Sequence, residues 1–285
     1  MKQSSGYVSG MIGIAIFSGS LPATRLAETG FPPLFLTAAR AVIAALLAIA
    51  LLTVFRQKKP ERDALLPLAI VALGVVIGYP LLSACALQHI EAVRSAMWTG
   101  LLPLSTALFA VLRNGEHPSL RFWIFSLCGA AAVLFYALTQ THGGSLVGDG
   151  LMLASILVCG LGYTEGAALS RRLDGWQVIS WALILALPLM SVLALASHPV
   201  NWDQISPSAW VSLLYVALFS MMLGFVFWYH GLAQGGIARI GQLQLLQPFG
   251  GLALSALVLH EVIPPLLVGV TCLVLFCVFG ARRAA

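Results

Sequence analysis

Stretches of twenty or more residues without one charged side chain recur along this chain, among them Asp63 to Glu91, Arg121 to Asp149, Asp174 to Asp203, Asp203 to Arg239, Arg239 to Glu261 and Glu261 to Arg282. A hydrocarbon core about 30 Å thick takes roughly 20 apolar residues of α-helix to cross. Barrel strands would alternate polar and apolar, whereas these runs are apolar on all sides. The chain has 60% hydrophobic and 9% charged residues, against about 25% charged in a soluble domain. The expected fold class is therefore an all-α polytopic membrane protein.

Pro, Gly and charge punctuate the runs and predict ten spans: 7–26, 33–54, 64–84, 93–112, 120–140, 148–169, 176–197, 208–230, 237–257 and 264–281. The run after Lys2 reads as the first helix rather than a signal peptide, since more spans follow at once. The loops are too short for a soluble domain, so any site is built from the helices. Cys85, Cys128, Cys159, Cys272 and Cys277 all lie in apolar runs with no CxxC spacing and read as packing thiols.

The net charge of +5 resides in loops. It therefore speaks to orientation in a lipid bilayer and not to nucleic acid. With the N-terminus in the cytoplasm, that side collects Lys2, Arg56, Lys58, Lys59, Arg62, Arg113, Arg121, Arg171, Arg172, Arg239, Arg282 and Arg283, and the other keeps Arg25 and Arg94. This bias predicts both termini in the cytoplasm of a bacterial inner (plasma) membrane.

Leu87, Arg94, Pro103 and Glu116 match Leu232, Arg239, Pro248 and Glu261 at a constant offset of 145 residues. Gly10 and Thr24 align with Gly150 and Thr164 at an offset of 140. The chain divides into 1–142 and 143–285, two five-helix halves. Five is odd, so the second half enters the membrane in the opposite sense, and such inverted repeats place a substrate site near the midplane between them.

These residues also carry a likeness. Two five-helix units, each with a Pro in the fourth helix and a Glu in the loop after it, resemble the EamA-type units of the drug/metabolite transporter superfamily. Arg40 and the stretch Ser18-Gly19-Ser20 resemble that unit's early pattern. Within the superfamily the chain looks most like the YddG-type exporters of aromatic amino acids. The resemblance implies a carrier of hydrophobic amino acids working by alternating access.

Polar groups inside spans mark where to look for a site. Trp98, Thr99, Ser105 and Thr106 fall in the fourth helix and Gln242, Gln244 and Gln247 in the ninth; Gln244 is the repeat-mate of Thr99 and Gln242 of Met97. Their amides and hydroxyls either bind a substrate's polar ends or join helices. Phe17, Tyr79, Trp98, Tyr163 and Trp181 are expected near the midplane, as substrate walls or as packing, with Tyr79, Trp98 and Tyr163 closest to the pseudo-symmetry axis. Trp123, Trp176, Trp202 and Trp210 read as the interfacial belt.

Pro103 and Pro248 each free a carbonyl and read as hinges or static kinks. Arg40 lies seven residues into the second helix and needs a partner, either a substrate carboxylate or helix carbonyls. Glu165 is either a proton carrier or an ion-pair partner of Arg171 and Arg172. No metal-ligand cluster and no GxGxxG or Walker loop is present, so neither a metal nor another cofactor is expected. An embedded enzyme would need clustered nucleophiles or acids. The expected partners are a small-molecule substrate, such as an amino acid, and the bilayer; a monomer is compatible with this reading.

Overall fold

The computed structural model describes residues 2–86, 88–90, 98–138, 145–247, 249–251, 253–254 and 265–284. Pro248, Arg94, Met97 and Glu261, and the expected junction at 142/143, lie outside the described residues. Every regular element among the described residues is a helix.

In chain order these are α1 (Lys2–Ser18), α2 (Ser20–Ala27), α3 (Pro33–Val54), α4 (Arg62–Val71), a π-helical segment Ala72–Gly78, α5 (Tyr79–Ala86), α6 (Leu102–Asn114), α7 (Leu120–Leu138) and α8 (Leu146–Leu169). There follow α9 (Gly175–Ala196), α10 (Pro207–Leu214), a second π segment Tyr215–Leu223, α11 (Gly224–Gly235), α12 (Ile237–Gly241), a 3-10 segment Gln242–Leu246 and α13 (Pro265–Ala284). Six continuous helices are long and apolar enough to cross a bilayer: Ser5–Ala27, Pro33–Val54, Arg62–Ala86, Leu146–Leu169, Gly175–Ala196 and Pro207–Gly235. Shorter apolar helices cover Leu120–Phe135 and Val268–Ala281.

The bundle is apolar outside as well as inside. Leu66 is 70% exposed, Val211 67% and Phe276 64%, a surface that suits lipid and not water. Apolar side chains gain nothing by leaving lipid for protein, so the helices are held by close packing at small residues. α1 lies along α11, where a Cβ added at Gly6 would stand 2.6 Å from the Gly235 nitrogen, and one at Gly231 2.8 Å from the Gly10 nitrogen. α8 lies along α4 to α5, with Gly74 against Gly162. α3 pairs with α9, and α7 with α13. Exchanging the two halves turns the α1–α11 contact into the α8–α4/α5 contact and each of the other two pairs into itself.

The two π segments add an independent sign of the repeat. The first closes with the Tyr79 N–H donating to the Gly74 carbonyl, the second with the Gly224 N–H donating to the Phe219 carbonyl. Both residues of this pair are related by the offset of 145 that the sequence shows further along. π turns are rare and gather at functional places. One difference breaks the symmetry. Gly10 is buried, and a Cβ there would meet Ile240 at 2.8 Å and Leu243 at 3.0 Å, whereas its mate Gly150 is exposed with nothing within 4 Å.

Pro103 sits at the start of α6, after a turn at Gly100 and Leu101. The span expected to be kinked at this proline is instead interrupted just before it, and in a first turn the missing N–H costs no helical bond.

Candidate functional site

Aromatic rings from three helices meet in the bundle centre. Phe17 of α1 lies edge-on to Phe225 and Trp228 of α11, with centroids 5.1 and 6.3 Å apart. Tyr163 of α8 meets the same two rings at 6.0 and 5.6 Å. Trp228 thus stands between Phe17 and Tyr163, two residues the sequence places near the midplane. Phe225, Trp228 and Tyr229 escaped that reading, although four aromatics in the five residues 225–229 were visible as a mid-span concentration.

Polar groups border this wall. The Gln244 amide nitrogen donates to the Gln247 side-chain oxygen at 2.7 Å and reaches the Tyr163 hydroxyl at 3.5 Å. Gln242 is fully buried, and neither its Nε2 nor its Oε1 has a partner; Gln244 Oε1 and Trp228 Nε1 are likewise unpartnered. Both glutamines belong to or adjoin the 3-10 segment, whose tighter turn interrupts the α-helical course at this depth. Tyr79 opens α5 within electrostatic reach of Cys159, Tyr163 and Arg40. Arg40 takes part in none of the ion pairs among the described residues.

The structure brings Phe17 and Tyr163 together on Trp228, with Gln244 reaching Tyr163 and Tyr79 within its electrostatic reach, while Gln242 is buried two residues before Gln244 in the same 3-10 segment. It does not bring Trp98 there. The Trp98 indole donates to Asp149 Oδ1 at 2.9 Å, and Asp149 is fourteen residues before Tyr163 on α8, so about 21 Å of helix separates the two levels. Trp98 and its neighbour Thr99, both half-buried, therefore stand at the end of the bundle rather than at mid-depth. Trp181 is half-buried on α9 and packs against the main core.

Glu165 pairs with Arg113, whose Nε lies 2.6 Å from Oε1. Its expected partners are engaged elsewhere: Arg172 binds Asp63 at 2.8 Å and Arg171 stands 3.9 Å from Glu116. The sequence assigned Glu165 to neighbours along the chain, but packing supplied one from α6. A groove of about 720 Å³ between α3, α9 and the second π segment, lined by Leu47, Leu51, Phe55, Trp176 and Phe219, contains none of the expected site residues. Its lining is apolar and suits a lipid tail better than an amphipathic solute.

At the face where the loops rich in Lys and Arg meet, Glu116 crosses between halves. Its two carboxylate oxygens accept from the Ile237 and Ala238 backbone N–H groups at 2.8 and 2.9 Å. Gly115 and Gly236 carry φ of +62° and +89°, values that permit the two turns this clasp requires. The Glu that marks the repeat thus ties the first half to the helix that leads into Gln242. Glu116→Ala leaves two helix-start donors without an acceptor, an expected loss of about 1–3 kcal/mol. Scanning fluorimetry in detergent reads it as a lower Tm; an unchanged Tm would show that the clasp carries no load.

A family model, the EamA-like transporter family, matches this chain twice, over residues 4–138 and 146–282. The uncharacterized transporter YdeK of Bacillus subtilis (strain 168) is 58% identical over 284 residues, covering 100% of this chain and 99% of that protein. The uncharacterized transporter YetK of the same organism is 24% identical over 273 residues, covering 91% and 81%. A crystal structure with 19% identity superposes with a TM-score of 0.83 over 99% of this chain and 97% of its own, a likeness of fold.

Proposed function

The chain belongs to the EamA-like transporter family, and from that premise we propose that it is a secondary carrier exporting small amphipathic metabolites, aromatic and hydrophobic amino acids first among them. In this reading ten spans form two inverted five-helix repeats, with both termini in the cytoplasm of a bacterial inner membrane. Substrate crosses by alternating access through the centre where Phe17, Tyr163, Trp228 and Gln244 meet, with the buried Gln242 as a further lining group.

The observation that carries the reading is Gln242, a fully buried amide with neither polar atom satisfied among the described residues, two residues before Gln244, whose amide reaches Tyr163 of the aromatic wall. Buried polar atoms are nearly always hydrogen-bonded, so unpartnered ones call for a ligand or water. Rings suit an apolar side chain, and neutral amides suit the charged ends of a zwitterion without adding net charge. The tight packing at Gly10 and the open space at Gly150 fit one state of a carrier that closes one end while opening the other.

The test is counterflow in proteoliposomes with a panel of amino acids, run with and without a pH gradient. Phenylalanine, tyrosine, tryptophan and leucine are expected to accelerate exchange of a labelled member of the set. Failure of every amino acid to do so would remove the amino acid reading and leave the family assignment standing.

A further inference from the structure

Arg40 is a cation inside a membrane-spanning helix, and among the described residues no carboxylate forms an ion pair with it. Seven residues into α3, it has its Nε buried and without a hydrogen-bond partner. The ion pairs among the described residues leave it out. Helix carbonyls, the bland alternative for such a residue, do not take up that Nε–H either. The residue as a whole keeps a minor part of its surface exposed. Small residues of its own helix surround it, with Ala39, Ala41 and Ala44 all buried, and none of them offers a charge. α5, which opens on Tyr79, packs on α3, and the Tyr79 hydroxyl lies within electrostatic reach of Arg40, as Cys159 does of Tyr79.

An ionised group within a bilayer is costly, and proteins place one there when it meets an opposite charge or a function. A guanidinium presents a planar fork of donors that matches a carboxylate edge to edge. We propose that Arg40, with the Tyr79 hydroxyl beside it, is the seat for the anionic end of the transported solute, so that substrates carry a carboxylate or an equivalent monoanion. The solute itself supplies the counter-charge that α3 lacks. Tyr79 and Tyr163 stand within electrostatic reach of each other, and Tyr163 meets the aromatic wall and Gln244, so the anionic and apolar ends of one small molecule have neighbouring seats. This inference rests on the transport reading and adds the charge class of what is carried.

The experiment separates the two. Detergent-purified full-length protein is titrated with benzoate, phenylpropionate and phenethylamine, following Tm. Reconstituted protein is assayed for counterflow with phenylalanine, phenylpropionate and phenethylamine. Wild type, Arg40→Lys, Arg40→Gln and Tyr79→Phe are compared, each first shown to be monodisperse. Carboxylates are expected to raise the wild-type Tm and phenethylamine to leave it unchanged. Arg40→Gln is expected to weaken carboxylate binding by roughly thirtyfold or more, with Arg40→Lys intermediate and Tyr79→Phe weakened less.

Equal stabilisation by phenethylamine and phenylpropionate would overturn the inference, as would carboxylate binding undiminished in Arg40→Gln or no carboxylate binding to wild type. Absence of counterflow with carboxylate binding intact would overturn the transport reading alone.

Discussion

Gly150→Leu is expected to leave the Tm of the detergent-solubilised protein unchanged while slowing substrate exchange by about fivefold or more. In the observed conformation a Cβ at Gly150 meets nothing within 4 Å among the described residues, so a leucine there costs none of the packing they show. A Cβ added at its mate Gly10 would lie 2.8 and 3.0 Å from the Ile240 and Leu243 side chains. If the carrier reverses, the end at Gly150 must close as the end at Gly10 is closed now. A leucine in that closing contact adds the cost of overpacking, about 1–3 kcal/mol, to the opposite state alone. That thins its population roughly 5- to 100-fold, and a cycle that visits both states slows accordingly. Gly231→Leu is the converse. Its Cβ would lie 2.8 and 2.9 Å from the Gly10 backbone, which cannot yield as a side chain can, so the observed state itself loses stability and Tm falls. Exchange at the wild-type rate in Gly150→Leu would break the link between these two glycines.

The helices and the repeat were legible in the sequence because both rest on long-range regularities. Twenty apolar residues need a helix in lipid whatever their neighbours do, and the predicted 33–54 and 148–169 agree with Pro33–Val54 and Leu146–Leu169 to within a few residues. The offset of 145 found between Leu87 and Leu232 recurs in the closing bonds of the two π segments. Depth along a span was less legible. Trp98 was assigned to mid-depth by counting from span ends, but the turn at Gly100 and Leu101 restarts the helix, and the indole is tied to Asp149. No pattern of hydropathy announces such a break. Nor does it choose a partner: Glu165 lies close in sequence to Arg171 and Arg172, yet packing of α6 on α8 delivers Arg113.

The same limit explains the candidate centre. Phe17, Tyr163, Gln242 and Gln244 were selectable singly, because each is an aromatic or amide residue inside an apolar run. That Trp228 stands between Phe17 and Tyr163 is a property of α11 crossing both α1 and α8, and it depends on glycine contacts such as Gly13 against the Trp228 backbone. Composition alone does not reveal which glycines meet which helix.

Gln242→Leu sets stability against function at a single position. Leucine nearly fills the volume of the amide, and the amide's two polar atoms are buried without partners, so the change removes a desolvation penalty and breaks no protein hydrogen bond. The expected result is a gain of about 1–3 kcal/mol in unfolding free energy, seen as a higher Tm in detergent. If the orphaned amide instead serves a ligand, the same variant loses that hydrogen bond when substrate is bound, and affinity in counterflow falls by roughly 5- to 100-fold. The two changes have opposite sign, which separates a binding amide from one that merely joins helices. A helix-joining glutamine would lower Tm on replacement and leave affinity alone, and that outcome would take Gln242 out of the site. The orphaned amide costs the protein stability, and a solute that satisfies it in passing accounts for its being kept there.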